Sequence, residues 1–288
     1  MMISVKKKKG GAHVSKRTKK RSTESISILE ERKHLLTQKD DFFTQEAYKT
    51  LRSNIIFSLT GEEGNKIIQV TSAMMSEGKS ITSVNLAISF AQTDRKVLLI
   101  DCDLRRPKLA SLLSLGANVG LSNVLVDHTL LEQAILPTKV PNLSVMTSGE
   151  IPPNPSELLG SKRMTALLEE LRQVYHYVIL DTPPVNMVID AVVLASRSDG
   201  VLIVVRAGHS EKGSVQDAVE QLEYAKVKIL GYVLNGVDSE RGGYGSGKYR
   251  RYKKYKGYGY GYGYGYGYGY SSPPSSREPE PEERGKTE

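Results

Sequence analysis

Short apolar runs alternate with stretches of helical periodicity from residue 66 to residue 238, and this alternation constrains the fold most strongly. The strand-like runs are residues 67–70, 97–100, 143–146, 177–180, 201–205 and 229–234. The helical stretches include residues 80–92, a helix that Ser156 would cap and that would run through Val174, and residues 212–225. Apolar strands that alternate with helices form a mostly parallel sheet with helices on both faces. The sequence therefore predicts one α/β domain.

Charge and composition separate this domain from two basic ends. The chain carries a net charge of +8, yet residues 1–22 hold nine Lys and Arg residues and residues 241–270 hold seven, and neither segment contains an acid. The remaining body is therefore mildly acidic. We predict a disordered basic arm over residues 1–40, a folded domain over 41–240 and a disordered tail over 241–288, because both ends lack the apolar residues that a core requires. Within the domain, Tyr48, Leu51 and Ile55 predict an amphipathic helix over about 44–58.

Two further features exclude whole classes of protein. No apolar run approaches the ~18 residues that a membrane span requires, and no apolar segment follows the basic N-terminus as in a secretory signal. Cys102 is the only cysteine, which excludes an internal disulfide framework. We therefore expect a chain of the reducing cytoplasm.

The strongest local motif is the segment A-M-M-S-E-G-K-S at residues 73–80. It matches the phosphate-loop pattern G-x-x-x-x-G-K-[ST] except at Ala73, and it lies between a predicted strand and a predicted helix, as that motif requires. Lys79 would reach the β- and γ-phosphates of ATP, and Ser80 would hold Mg²⁺. Glu77 is expected to face solvent. The predicted nucleotide-binding residues are Ala73, Ser76, Glu77, Gly78, Lys79, Ser80, Ile81 and Asp181.

Three aspartates follow predicted strands. Asp101 and Asp103 come at the end of the run 97–100, and Asp181 ends the run 177–180. Ligands of open α/β sheets bind at the carboxyl edge of the strands, where a carboxylate can hold Mg²⁺ directly or through water. The alternative is that these side chains only cap the helices that follow.

Taken together, these motifs resemble those of the bacterial tyrosine kinases that control capsule and exopolysaccharide synthesis. The phosphate loop, I-D-C-D-L-R-R-P at 100–107 and V-I-L-D-T-P-P at 178–184 follow the order of that family's Walker A, A′ and B motifs. A tyrosine-rich C-terminus completes the resemblance: residues 242–270 contain eleven tyrosines, and residues 257–270 alternate strictly between Gly and Tyr. The resemblance implies a P-loop NTPase-like fold and transfer of the γ-phosphoryl group of ATP, with Mg²⁺, to tyrosine.

The resemblance also assigns roles to individual residues. Lys79, Asp101 and Asp103 would be catalytic, with either aspartate as the base; Asp103 is favoured, and Asp101 is placed nearer the metal. Ser80, Asp101 and Asp181 would hold Mg²⁺. The expected phosphoacceptors are Tyr244, Tyr249, Tyr252, Tyr255, Tyr258, Tyr260, Tyr262, Tyr264, Tyr266, Tyr268 and Tyr270.

Further implications concern partners and location. Glu46, Lys49 and Arg52 are similar to the family's oligomerisation motif E-x-x-R-x-x-R, which implies a homo-oligomer, in the family a ring. The lack of a membrane span resembles the Gram-positive type, in which kinase and membrane-anchored activator of the polysaccharide co-polymerase type are separate chains. A protein tyrosine phosphatase is a further implied partner. The kinase would then lie at the inner face of the membrane through its activator, and residues 6–21 could bind anionic lipid.

The sequence departs from this family in the phosphate loop, where Met75-Ser76 replaces the frequent Pro-Gly. A positive φ at Ser76 would be unfavourable because of its Cβ. Septum-site and plasmid-partition ATPases share the fold, but they carry a signature lysine where this chain has Met74. Two other interpretations remain open: a tail that binds single-stranded nucleic acid, which the attached P-loop domain disfavours, and a non-catalytic ATP-binding scaffold whose tail mediates assembly.

Overall fold

The computed structural model describes residues 28–37, 42–59, 64–116 and 119–237. Within these residues a seven-stranded sheet has the order β3-β4-β2-β5-β1-β6-β7, and every neighbouring pair is parallel except β3 and β4. The strands are β1 (Lys66–Ser72), β2 (Val97–Asp101), β3 (Ile135–Pro137), β4 (Leu143–Met146), β5 (Tyr177–Asp181), β6 (Gly200–Arg206) and β7 (Ile229–Asn235). The predicted acceptor tyrosines and the basic segment 6–21 lie outside the described residues.

Helices cover both faces of the sheet. After a short helical segment at residues 28–32, they are α1 (Phe42–Ser58), α2 (Lys79–Ala91), α3 (Leu109–Leu113), α4 (Leu121–Val126), α5 (Leu131–Ala134), α6 (Pro155–Leu159), α7 (Lys162–Val174), α8 (Asp190–Ala195) and α9 (Lys212–Tyr224), with a 3₁₀ turn over His128–Leu130. The predicted α/β class is confirmed, and so are the six predicted strands and the helix near 44–58. The strand β3 and the short helices were not predicted, because each is too short to show a period.

The alternation of side chains along the strands explains this layering. Ile68 of β1 faces α1 and α2 and shares a cluster with Ile55 and Phe90. Ile67, one residue earlier, belongs to the cluster on the opposite face, with Leu168 of α7. Successive strand residues point to opposite faces, and burying one large aliphatic side chain stabilises the fold by about 1.5–3 kcal/mol. Strands that are apolar at every position are therefore covered on both sides.

The predicted disordered arm over residues 1–40 is wrong for its last part. Residues 28–32 are helical, and Leu36 is buried in the cluster formed by α1 and α2. The backbone N–H of Leu36 donates to Oδ1 of Asn85 at 2.7 Å, and Nδ2 of Asn85 donates to the carbonyl of His34 at 2.9 Å. A buried polar side chain on α2 thus binds this segment, a contact that composition alone does not reveal.

The single helix predicted from Ser156 through Val174 is also wrong. The chain forms two helices here, and Ser161 rather than Ser156 caps the longer one, with its Oγ accepting from the N–H of Met164 at 3.3 Å. The break lies at Gly160, whose carbonyl accepts from the guanidinium of Arg197 at 2.7 Å instead of continuing the helix. Capping by a local hydroxyl therefore outweighs the continuous helical pattern.

The sheet brings the carboxyl ends of β1, β2, β5, β6 and β7 to one edge. Asp101 and Asp181 are direct partners in the register of β2 and β5, and the phosphate loop follows β1 beside them. None of the helices that the structure describes is long and apolar enough to cross a membrane.

Candidate active site

A cleft of about 1080 Å³ opens at the carboxyl edge of the sheet. Parallel strands that end at one edge leave such a crevice, which is where ligands of this fold class bind. Of the predicted site residues, the cleft is lined by Ser76, Gly78, Lys79, Ser80, Ile81 and Asp103. Ala73, Glu77, Asp101 and Asp181 are buried behind this surface.

The phosphate loop, residues 73–80, has two residues in the left-handed region. Ser76 has φ 65° and Gly78 has φ 94°, so the positive φ considered for Ser76 is present. A Cβ at residue 78 would lie 1.9 Å from Nδ2 of Asn235, and the positive φ itself disfavours any side chain, so the position favours glycine. The loop leads directly into α2, and the positive end of a helix dipole attracts phosphate.

Lys79 lies between two carboxylates. Its Nζ is 3.0 Å from Oδ2 of Asp103 and 3.8 Å from Oδ1 of Asp181. Burial by itself would lower the pKa of Lys79, but the charges of Asp181 and Asp103 outweigh it and leave the pKa raised. Lys79 is therefore a fixed positive charge at the floor of the cleft.

Asp181 retains one oxygen without a partner. Its Oδ1 accepts from the hydroxyl of Ser83 at 3.1 Å, whereas Oδ2 is buried and makes no hydrogen bond within the described part of the chain. Burial raises the pKa of Asp181, and the nearby Lys79 opposes that rise. A buried oxygen that no described protein group satisfies is suited to a cation or to its bound water.

Asp101 and Asp103 have different surroundings. Oδ1 of Asp101 accepts from the N–H of Asp103 at 3.2 Å, and its Oδ2 accepts from the N–H groups of Lys108 and Leu109 at 3.1 and 2.9 Å. Burial, with the neighbouring Asp181, raises the pKa of Asp101 to about 7. Both oxygens of Asp101 thus support the loop before α3, which is the capping role that the sequence left open. Asp103, in contrast, lines the cleft.

The expectation that Glu77 faces solvent is wrong. Its side chain is buried; Oε2 accepts from the N–H of Met74 at 2.9 Å, and Oε1 accepts from the hydroxyl of Ser210. A carboxylate can be buried in this way when both oxygens are hydrogen-bonded. Glu77 therefore contacts the protein rather than the cleft.

Two residues of this edge, Arg206 and Asn235, are not predicted from the sequence. Arg206 and Asn235 line the cleft at the ends of β6 and β7, so the same strand-end rule that located the aspartates could have found them. Arg105 makes two hydrogen bonds of 2.9 and 3.0 Å to the buried carboxylate of Asp190. No sequence motif links Arg105 to Asp190, which lies 85 positions away.

The three residues of the predicted oligomerisation motif lie on α1. Glu46 and Lys49 form an ion pair of 2.7 Å on a partly exposed surface. The guanidinium of Arg52 donates to the carbonyl of Ser89 and, at 3.0 Å, to its hydroxyl, so it joins α1 to α2 within one chain.

Comparisons with known proteins agree with this geometry. A family model described as an AAA domain matches residues 65–229. The tyrosine-protein kinase YwqD of Bacillus subtilis is 44% identical over 205 residues, which are 70% of this chain and 86% of that protein. The tyrosine-protein kinase CpsD of Streptococcus agalactiae is 40% identical over 203 residues, 70% of this chain and 87% of its own. The tyrosine-protein kinase ptk of Acinetobacter johnsonii is 35% identical, but the match covers 76% of this chain and only 30% of that protein.

Two solved structures extend the similarity to three dimensions. The chimerical protein CapA2B2 has 36% identity and a TM-score of 0.66, over 69% of this chain and 87% of that one. The kinase domain of the Escherichia coli tyrosine kinase ETK has 36% identity and a TM-score of 0.65, over 77% and 80% of the two chains.

Proposed function

The chain belongs to the bacterial tyrosine-protein kinases, and we propose that it uses ATP and Mg²⁺ to phosphorylate the tyrosines of its own C-terminal tail. We further propose that this reaction regulates the synthesis and export of capsular or extracellular polysaccharide. The observation that carries the proposal is the position of Asp103, which lines the cleft 3.0 Å from the phosphate-loop lysine. A carboxylate at that place can accept the proton of a tyrosine hydroxyl beside the γ-phosphate.

The roles follow from the contacts. Lys79 neutralises the negative charge that develops on the β- and γ-phosphates. The hydroxyl of Ser80 and the unpartnered Oδ2 of Asp181 fit a magnesium ion, which would balance the charge of the phosphates. Asp103 would take the proton of the acceptor hydroxyl as the γ-phosphoryl group passes from ATP to the tyrosine oxygen, with ADP as the leaving group. Asp101 keeps Asp103 and the loop after it in place through three backbone hydrogen bonds.

The acceptors and the partners complete the proposal. The eleven tyrosines between residues 244 and 270 supply acceptors, and the segment 241–270 that contains them has seven basic residues and no acid. We place the kinase in a homo-oligomer, so that the tail of one subunit reaches the cleft of another, and at the inner face of the cytoplasmic membrane beside a separate membrane-anchored activator.

The direct test is phosphotyrosine formation on the purified full-length chain with Mg²⁺ and ATP. It is run with and without the cytoplasmic tail of the activator, beside Lys79→Met and a truncation after Asp238. Signal in the intact chain that both variants lose establishes a kinase acting on its own tail. Nucleotide binding without any phosphotyrosine, even with the activator, would reject tail phosphorylation and favour the scaffold.

A further inference from the structure

The phosphate loop contains an unfavourable backbone conformation that other parts of the chain must support. Ser76 has φ 65°, a region that residues with a Cβ rarely adopt, and Gly78 two positions later has φ 94°. Ser76 is exposed, so core packing does not hold this conformation in place. A non-glycine residue remains in the left-handed region only where surrounding contacts determine it.

Two side chains from neighbouring strands bind successive carbonyl groups of the loop. Nη1 of Arg206, the last residue of β6, donates to the carbonyl of Ser76 at 2.8 Å. Nδ2 of Asn235, the last residue of β7, donates to the carbonyl of Glu77 at 3.0 Å. The C=O and N–H groups of a trans peptide point in opposite directions. These two bonds therefore fix the direction of the N–H groups of Glu77 and Gly78, which belong to the same two peptides.

The buried carboxylate of Glu77 closes the loop from the other side. Its Oε2 accepts from the N–H of Met74, and its Oε1 accepts from the hydroxyl of Ser210. The same hydroxyl accepts from the backbone N–H of Arg206 at 2.7 Å, so Glu77 and Arg206 are linked through Ser210. Glu77 does not line the cleft, whereas its chain neighbours Ser76 and Gly78 do. The carboxylate is thus directed away from the place where phosphates would bind.

We infer that Glu77, Arg206, Ser210 and Asn235 form a latch that keeps the phosphate loop in its phosphate-binding conformation. The four are positioning residues: through the latch, the loop amides are oriented for a nucleotide polyphosphate before it arrives. The inference rests on the proposed binding of nucleotide at this loop, but it concerns the free energy of that binding and not the transfer to tyrosine. Removing a latch residue leaves the loop free to relax, so the affinity for nucleotide falls.

The test measures binding of Mg²⁺-ADP to the full-length chain by titration calorimetry, together with thermal unfolding of each variant without nucleotide. Glu77→Ala and Asn235→Ala are expected to raise Kd about tenfold or more, since Glu77→Ala removes two hydrogen bonds and Asn235→Ala one, and a hydrogen bond is worth about a tenfold change in affinity. Glu77→Gln retains an acceptor for Met74 and a partner for Ser210, so it is expected to bind far better than Glu77→Ala. Equal losses in the two Glu77 variants would overturn the latch, because the charge and not the hydrogen bonds would then be required.

Matched controls come from the same chain. Asn65 also donates through its amide to a backbone carbonyl, that of Arg172 at 2.7 Å, but it precedes β1 at the opposite edge of the sheet. Ser196 is an exposed serine whose hydroxyl donates within its own helix turn, to the carbonyl of Val193. Asn65→Ala and Ser196→Ala are expected to leave Kd for ADP unchanged within about twofold. If they weaken binding as much as the latch variants do, the effect is general destabilisation and the latch is rejected.

Two variants of Ser210 test the proposal even if Glu77→Ala fails to fold. Ser210→Ala removes a single hydroxyl and is expected to weaken ADP binding, while Ser210→Thr keeps the hydroxyl and is expected to restore it. Equal affinity of these two variants would overturn the proposal.

Tail phosphorylation is measured separately, and the latch variants are expected to raise KM for ATP more than they lower kcat. If the wild-type chain never phosphorylates tyrosine, the proposed function is refuted. If the latch variants still bind ADP more weakly than the wild type in that case, the latch itself is supported.

Discussion

The ammonium group of Lys79 lies 3.0 Å from Oδ2 of Asp103, so the lysine of the phosphate loop is paired with the carboxylate that we propose as the base. Lys79→Met is expected to lower the rate of phosphotyrosine formation by at least about 10²-fold, because a positive charge that stabilises the transition state is lost. The rate is measured on the full chain with Mg²⁺ and ATP. Lys212→Met, at the exposed start of α9, is the matched control; a similar loss in that variant would contradict the role of Lys79.

Asp103→Asn is expected to lose activity, whereas Asp101→Asn is expected to lose stability. The amide oxygen introduced by Asp103→Asn can still accept the N–H of Arg106, which Oδ1 of Asp103 accepts at 3.0 Å, but the amide cannot take a proton. We expect phosphotyrosine formation to fall by about 10²–10⁴-fold while ADP binding remains. Asp101→Asn replaces one of two accepting oxygens by an amide nitrogen, and a buried N–H that loses its acceptor costs about 1–3 kcal/mol.

Chemical denaturation distinguishes these two variants. The free energy of unfolding is expected to fall clearly in Asp101→Asn and little in Asp103→Asn. If Asp101→Asn is as stable as the wild type and loses only activity, then Asp101 rather than Asp103 is the better candidate for the base.

The pKa of Asp101 predicts how the stability of the nucleotide-free chain changes with pH. Burial raises this pKa from 3.8 to about 7, so the folded state retains a proton that the unfolded state releases. The contribution of Asp101 is therefore fully present below about pH 4 and is lost as pH rises through about 7. Urea denaturation at several pH values, without Mg²⁺ or nucleotide, measures how steeply the free energy of unfolding changes with pH over this range. We expect this pH dependence to be weaker in Asp101→Asn. An unchanged pH dependence would contradict the raised pKa of Asp101.

Local pattern in the sequence predicts a large part of the fold. Apolar runs bounded by turn residues indicate the strands, and the strand-end rule places Asp101, Asp103 and Asp181 at one edge of the sheet. The same rule applied to β6 and β7 would also have found Arg206 and Asn235. Short elements such as β3 could not be predicted, since three residues show no period.

The contacts between distant residues lay beyond prediction for a physical reason. The solvent-facing expectation for Glu77 follows from its charge, but its burial depends on Ser210, which lies 133 positions away and meets the loop only in the folded chain. Composition assigns residues 28–37 to the arm, whereas Asn85 binds them through hydrogen bonds. In both places a specific partner outweighs the average tendency of the residue type.

Arg52 is expected to serve the stability of the monomer as well as any contact between subunits. Its guanidinium binds both oxygen atoms of Ser89, and a hydrogen bond to a charged group contributes about 1.5–3 kcal/mol. Arg52→Ala should therefore lower the free energy of unfolding, measured in urea. Glu46→Ala breaks an exposed pair worth about 0–1 kcal/mol and should leave the stability nearly unchanged.

Light scattering then separates assembly from stability in these variants. If the three residues also form the proposed interface, Glu46→Ala reduces the oligomer mass while the monomer remains stable. An oligomer that survives Glu46→Ala and dissociates only when Arg52→Ala destabilises the fold would contradict the interface.

Phosphorylation of the tail is expected to dissociate the proposed oligomer by reversing a charge. Residues 241–270 carry seven basic and no acidic residues, while the body of the chain is acidic. Each phosphotyrosine adds about −1.5 to −2, so eleven would bring the segment to roughly −10 to −15. Attraction between the tail and an acidic neighbour then becomes repulsion, most strongly at low salt. Light scattering before and after incubation with Mg²⁺ and ATP should show a fall in mass that Lys79→Met does not show. A heavily phosphorylated chain whose mass stays constant at low salt would contradict this switch.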